Sequence, residues 1–302
     1  MPTTLTLLWW NLYNLHDDLD DPRIRDIVRP TPMYHRDLRE VADIIDRVTP
    51  APDFIGCAEV ENHGVVRALA EEIQRRPAHL NYRCEQHIES RDPRGIDVGA
   101  LIRVVPAVVP LRMSPVWPDD ADAVRPLVQV EMLVDGTLPL TVLLIHGKSR
   151  RSGGADADDP MPGSRLRMSY GRAIREVAAR CGAAATPLVV MGDFNDEPGS
   201  RSLTIGAEAS IGRPLDGSAE PGRLYNLSRE GLADARGTCT HQGDWLLFDQ
   251  VLVNGLLLAP PAGGLGIEGR MHIIAEDPLI YRGAPNRWYS DHLPVLLTLR
   301  SG

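Results

Sequence analysis

The chain is short of the features that mark secreted, membrane-spanning or base-stacking proteins. Its four cysteines, at positions 57, 84, 181 and 239, lie far apart and form no Cys-x-x-Cys pair. They read as small buried apolar side chains, which excludes a disulfide framework and a thiolate zinc site. Aromatic residues make up 5% of the chain, so few rings are at hand to stack on bases. No run approaches the roughly 18 apolar residues of a membrane span. The first basic side chain is Arg23. Without a basic start there is no secretory signal to predict, and a cytoplasmic location is expected. Basic residues are outnumbered 32 to 41, and the net charge of −9 argues against indiscriminate coating of nucleic acid.

What is present is a globular composition, 43% hydrophobic and 24% charged, in 302 residues. That length buries a large core. No repeat or linker divides it, so one domain over residues 1–302 is expected. Residues 5–10 read as a strand ending at Asn11. Leu38, Val41, Ala42, Ile45 and Val48 recur at helical spacing up to Thr49-Pro50. Residues 54–58 form an apolar strand running into Glu59, and Asn62 caps a helix that Pro77 stops. A strand over 98–105 leads to Pro-rich loops around Pro110, Pro115 and Pro118. Residues 127–134 and 140–145 pair as a hairpin across Asp135-Gly136. Ser164 caps the clearest helix, which ends at Gly182. Strands over 248–253 and 294–299 follow. Strands interleaved with helices, many of them hairpin-connected, point to mixed sheets covered by helices.

The informative feature is how the apolar strands stop. Val189-Val190-Met191 runs into Gly192-Asp193-Phe194-Asn195, so a carboxylate and a carboxamide emerge together at a strand end. A buried Asp is costly unless paired. Trp10 runs into Asn11, Cys57-Ala58 into Glu59, Leu144-Ile145 into His146 and Leu247-Phe248 into Asp249. Ser290-Asp291-His292 stands just before the last strand. Singly, each has a structural explanation, as a turn cap or a helix-start carboxylate. If the strands share one rim, all of them meet in one pocket. Between Lys148 and Arg180, eight basic residues accompany four acidic ones, Asp156, Asp158, Asp159 and Glu176. Such a strip suits a polyanion, and beyond Arg167 it equally describes an exposed helix face.

In order, Trp10-Asn11-Leu12-Tyr13-Asn14-Leu15, Glu59-Val60-Glu61-Asn62, Asp97-Val98-Gly99-Ala100-Leu101-Ile102, His146-Gly147-Lys148-Ser149-Arg150-Arg151, Gly192-Asp193-Phe194-Asn195, Asp249-Gln250-Val251-Leu252-Val253 and Ser290-Asp291-His292 resemble the endonuclease/exonuclease/phosphatase superfamily. The set is most similar to a bacterial nuclease-like branch. The resemblance implies a DNase I-like α+β fold, a four-layer α/β/β/α sandwich of two mixed sheets packed face to face with helices outside.

It also implies phosphodiester hydrolysis with a divalent cation. Mg²⁺ prefers oxygen ligands, and Mn²⁺ fits the same ones; the expected ligands are Glu59, Asn11 and Asp291. Asp193 and Asn195 would position the attacking water, with Asp193 as base. His292 would donate to a phosphate oxygen or move a proton, and Asp249 would fix its tautomer. His146 is the expected general acid or phosphate contact, and Lys148, Arg150 and Arg151 the expected substrate contacts. The other histidines read as surface or core. Arg94 reads equally as a phosphate contact and as a loop salt bridge, and Trp245 as core packing. A nucleic-acid substrate is expected first. A small phosphate ester (an inositol phosphate, phospholipid or nucleotide) is the alternative, and a silent binding module ranks below both. A zinc-centred hydrolase ranks lowest, because no His-x-x-x-His or cysteine pair offers ligands.

Overall fold

The computed structural model describes every residue except Met1, Asp26, 77–80, 104–106, Ser152 and Asp156, and it leaves the side chains of 83–86 undescribed. The Pro77 helix stop, Asp156, the Cys84 side chain and the end of the strand expected at 98–105 therefore lie outside the described residues.

The chain lays down β1 (Thr4–Leu15), α1 (Thr31–Arg47), β2 (Phe54–Val60), α2 (His63–Gln74), β3 (Tyr82–Ile88) and β4 (Asp97–Arg103). It then crosses to a second sheet with β5 (Val108–Val116), β6 (Leu127–Val134), β7 (Leu138–His146), helix α3 (Ser164–Ala183), β8 (Leu188–Asp193), β9 (Ser210–Ile211) and β10 (Leu224–Asn226). A small hairpin, β11 (Cys239–His241) with β12 (Asp244–Leu246), precedes β13 (Asp249–Asn254) and the one-turn helix α4 (Gly255–Leu258). Last come β14 (Leu265–Ile267), β15 (His272–Ile273), the hairpin β16 (Ile280–Tyr281) and β17 (Ala284–Pro285), and β18 (Val295–Ser301). The first sheet has the order β14-β18-β1-β2-β4-β3, with β15 also on β18; the second runs β5-β6-β7-β8-β13-β10-β9. Both are mixed: β1/β2 and β7/β8 are parallel, and most other pairs antiparallel. With α1 and α2 outside one sheet and α3 outside the other, this is the four-layer sandwich that the resemblance implies.

Alternation along the strands divides the core. In β8, Val189 and Met191 join the large core that includes the space between the sheets, while Leu188 and Val190 pack with Leu166, Tyr170 and Ile174 of α3. In β7, Val142 and Leu144 take the first direction, Leu143 and Ile145 the second. Such period-two sorting fixes the register, because a one-residue slip would exchange the two faces. Close approach of the sheets needs Gly56, where an added Cβ would come within 2.7 Å of Leu144. Gly192 is needed between parallel strands, where a Cβ would lie 2.0 Å from the carbonyl oxygen of Ile145.

Several local expectations change. Pro110 and Pro115 lie inside β5, not in loops. β5 is an edge strand with a register shift between Pro110 and Arg112, and an edge tolerates the missing donors. Helix α3 starts at Ser164, but its N-cap is Gly163 at φ 77; the Ser164 hydroxyl donates to the carbonyl of Asp159. The helix runs past Gly182 to Ala183. Asn62 does cap α2, accepting from the Val65 amide at 3.0 Å. The 127–146 hairpin turns at Asp135 (φ 53) and Gly136 (φ 67), as two left-handed residues in a tight turn require.

Candidate active site

The same alternation that sorts the core delivers the polar groups to one place. Asp193 continues the Val189–Met191 face of β8, His146 the Val142–Leu144 face of β7, and Asp249 the Val251–Val253 face of β13. The register sets Asp193 directly beside His146 on one neighbour and Asp249 on the other. From the opposite sheet, Trp9 sends its indole Nε1 to Asp249 Oδ1 at 2.9 Å, and Asn11, two residues on, shares its face. Glu59 sits at a register shift between Ala58 and Val60, in left-handed backbone at φ 59. A bulge of this kind re-aims a side chain at a strand end.

The side chains converge on Asp193 Oδ2. Asn195 Nδ2 donates to it at 3.1 Å and Asn11 Nδ2 at 3.2 Å, while the Asn195 amide donates to Oδ1 at 2.8 Å. His146 Nε2 stands 3.9 Å from Oδ2 and His292 Nε2 4.0 Å. His146 Nε2 is also 3.6 Å from Glu59 Oε1. His292 Nδ1 pairs with Asp249 Oδ2 at 2.6 Å, which leaves Nε2 facing the cleft. The Ser290-Asp291-His292 turn is pinned to β1: the Ser290 hydroxyl donates to the Asn11 carbonyl at 2.6 Å, and Trp10 Nε1 to the His292 carbonyl at 2.9 Å. Thr238 Oγ1 accepts from the amides of Phe248 and Asp249, fixing where β13 begins.

Burial shapes the protonation states. It lifts the Asp193 carboxyl well above the ordinary carboxylate range, opposed by His292 and the Asn195 amide and reinforced by Asp249 and Glu59. At His292 burial works against the charged ring, but Asp249, Asp193 and Asp291 overcome it and raise its pKa. At His146 burial dominates and Arg125 adds to it, holding the ring well below its usual value. His146 is therefore a neutral imidazole at pH 7, suited to donating a hydrogen bond rather than a full proton. Its Nδ1 is buried without a hydrogen-bond partner among the described residues.

The cation-binding expectation fits in part. Burial and the nearby Glu59 charge both raise the Asp291 pKa, with His292 and Arg287 opposing. Two carboxylates sharing a pocket in this way are an oxygen-donor pair for a hard divalent ion. Asn11 is arranged differently from a simple ligand. Its Oδ1 accepts the Tyr13 amide at 3.0 Å, and its Nδ2 spans Glu59 and Asp193 at 3.4 and 3.2 Å. It bridges the two carboxylates and sets their spacing. Asp193, Asp249 and His292 also place ligand atoms within 4.8 Å of one another.

These groups open on a cleft of about 1170 Å³. Glu59, His146, Asp193, Asn195, Asp291 and His292 line it, whereas Asn11 and Asp249 are fully buried behind it. One wall carries Lys148, Arg151, Arg94 and Arg125. The Lys148 pKa is lowered by burial and then by Arg125 and Arg94, a crowding of cations that an anion would relieve. Arg150 lines the cleft too and braces the neighbouring turn. It donates to the Asn195 carbonyl at 3.1 Å and Asp196 at 2.7 Å, and lies over the Phe248 ring. Three of the five arginines of α3 are likewise engaged, Arg165 with Asp120 and Asp122, Arg167 with Asp196 and Arg175 with Glu208. Arg94 forms the loop salt bridge, with Asp92 at 3.1 Å, and also lines the cleft. Trp245 packs partly buried against the core.

Arg125, Trp9, Thr238 and Arg287 carry no expectation from the sequence. The signal for Trp9 was there, since it stands two residues before Asn11 on one strand. Arg125 sits alone in a loop and had none. Its side chain is buried, donates to the carbonyls of His146 and Gly147, and pairs with Asp92 at 2.7 Å.

Solved structures of the same fold cover the chain almost end to end. ANGEL2, described as a 2′,3′-cyclic phosphatase, is 16% identical with a TM-score of 0.63, over 99% of this chain and 95% of its own. A humanized D. rerio TDP2 is 17% identical with a TM-score of 0.60, over 98% of each chain. A Bacteroides thetaiotaomicron endonuclease/exonuclease/phosphatase family protein is 14% identical with a TM-score of 0.60, over 100% and 99%. No curated protein sequence matches the chain significantly. The sequence model of the Endonuclease/Exonuclease/phosphatase family matches residues 6–301, taking in every side chain that meets at Asp193, and the chain belongs to that family.

Proposed function

We propose that the protein is a divalent-metal-dependent phosphodiesterase whose substrate is DNA or RNA. The observation that carries this reading is the convergence of His146, Asn195, Asn11 and His292 on Asp193 Oδ2, beneath a wall of crowded cations. A Mg²⁺ or Mn²⁺ ion held by Glu59 and Asp291 would supply charge relief on the phosphate and a more acidic water.

The chain's own groups do the rest. Asp193, with its pKa raised by burial, is a base matched to neutral pH and takes a proton from the attacking water. Asn195 and Asn11 hold its carboxylate in place. His292 donates from Nε2 to a non-bridging phosphate oxygen, with Asp249 holding its Nδ1 and Trp9 holding Asp249. His146 contacts the phosphate from the far side through a neutral N–H. Lys148, Arg151 and Arg94 neutralise the flanking phosphates, and buried Arg125 adds positive field behind them. Arg150 supports the Asn195 turn.

A TDP2 structure from D. rerio, of this fold at 15% identity and a TM-score of 0.60, was solved with a single-strand DNA product, which supports a nucleic-acid reading. The −9 charge and the cleft's few rings (Tyr13 and Phe248) support a second one, a small phosphate ester. Purified protein with Mg²⁺, offered supercoiled DNA, single-stranded DNA, RNA and a small ester, separates them. Cleavage of a polynucleotide is expected; phosphate release from the small ester alone would establish the second reading. No turnover of any, with Mg²⁺ or Mn²⁺, would overturn both.

A further inference from the structure

A second group of ligand-type side chains lies on the other face of the first sheet. Val98, between Asp97 and Gly99, is in register with Ile88, so His87 stands opposite Gly99 and Glu89 falls opposite Asp97. Residues 87, 89, 97 and 99 share one strand face. That face looks toward α2, because a Cβ at Gly99 would meet Val66 of that helix at 2.8 Å. His63, at the start of α2, has its ring 6.3 Å from the His87 ring. The catalytic groups use the inter-sheet face, so the two clusters sit on opposite faces of the sheet.

The polar atoms of the second group are unusually placed. The side chains of His87 and Asp97 are 4% and 1% exposed, with Nε2 and Oδ2 3.2 Å apart. Among the described residues, neither atom has a hydrogen-bond partner. Buried polar atoms are nearly always hydrogen-bonded, and these two face each other without that geometry, an arrangement that a shared ligand would satisfy. With Glu89, ligand atoms from all three residues lie within 4.8 Å of one another. Tetrahedral ligands on a zinc ion at about 2.1 Å stand roughly 3.4 Å apart, so small side-chain rotations would close the set. One imidazole nitrogen and two carboxylates suit Zn²⁺, and Co²⁺ by the same chemistry, better than an all-oxygen ion.

We propose that His87, Glu89 and Asp97 form a second, non-catalytic cation site of the Zn²⁺ type. Bound there, the ion ties the end of β3 to the start of β4. It thereby steadies the intervening loop, which carries Asp92 and Arg94 into the cleft wall.

The test weakens the catalytic site and reads the second one as the difference between the background protein and its variants. Chelator-treated protein carrying Glu59→Gln and Asp291→Asn is dialysed against Zn²⁺ and, separately, Co²⁺. Metal content and the visible spectrum of bound Co²⁺ are then read. About one equivalent is expected, with Co²⁺ bands that disappear in His87→Ala and in Glu89→Gln. Zn²⁺ should raise the melting temperature of the background protein and not that of either variant. Glu89 is exposed, so Glu89→Gln keeps the test open if His87→Ala fails to fold. No uptake by the background protein, or uptake unchanged in Glu89→Gln and His87→Ala, would overturn the proposal. The hydrolase reading stands or falls separately, on turnover by the wild-type protein.

Discussion

At the residue scale the site is a chain of dependence: Trp9 orients Asp249, Asp249 orients His292, and His292 faces the cleft. Asp193→Asn and His292→Ala should each lower kcat by about 10²–10⁴ while circular dichroism shows an intact fold. Near-normal turnover in either folded variant would sink these roles. Trp9→Phe probes the outer link, because it keeps an aromatic side chain at the position while removing the indole N–H held by Asp249. Its kcat should fall about 10–100-fold with KM little changed, as for other orienting partners. Much of this was legible in the sequence. Gly192-Asp193-Phe194-Asn195 and Ser290-Asp291-His292 announce themselves because polar groups at the ends of apolar strands are expensive and rarely accidental. Arg125 was illegible, since its function depends on carbonyls contributed by His146 and Gly147, which no local pattern in the sequence ties to it. Arg150 reads in the sequence as a substrate contact; it lines the cleft and also braces the strand end through Asp196 and Asn195, a second role that no local pattern announces.

At the element scale, period-two alternation was the readable part. It puts His146, Asp193 and Asp249 at matching strand ends, because strands buried on both sides must sort their side chains. Edge effects were not readable: β5 carries two prolines that deny a central strand and permit an outer one. The loop between β3 and β4 offers the sharpest test at this scale. The Asp92 carboxyl pairs with Arg125 at 2.7 Å, both side chains at most 5% exposed. Burial pushes its pKa up, but the Arg94 hydrogen bond and the Arg125 charge together hold it below the usual value. A carboxyl with a depressed folded pKa contributes stability in full above its unfolded value of about 3.9, and that stability is lost as pH falls through the folded value. Asp92→Asn should cost about 3–5 kcal/mol at pH 7, because Arg125 is left buried and uncompensated. Urea melts should show the wild type losing stability between pH 5 and its acid limit, with a shallower slope in the variant; equal slopes would refute the assignment.

At the scale of the whole molecule, a protein of net charge −9 has gathered basic side chains along the wall of one cleft. Among the described residues no helix is long and apolar enough to cross a membrane. An acidic exterior repels polyanions at long range, while low-dielectric walls focus the positive field where Lys148, Arg94 and Arg125 crowd together. A polynucleotide would meet both effects, and a monomeric ester only the second. Displacing counterions from a nucleic acid makes log(kcat/KM) fall linearly with log[salt], by slightly less than one unit of slope for each phosphate contacted. Kinetics on an oligonucleotide between roughly 50 and 200 mM salt should therefore show that decline, and Lys148→Ala or Arg151→Ala should each flatten the slope by about one. A small ester should show a weak salt dependence that either substitution barely alters. If the oligonucleotide slope proved flat, or stayed as steep without both side chains, then the basic wall does not hold the backbone, and the nucleic-acid reading would lose its electrostatic basis while the catalytic geometry around Asp193 stood.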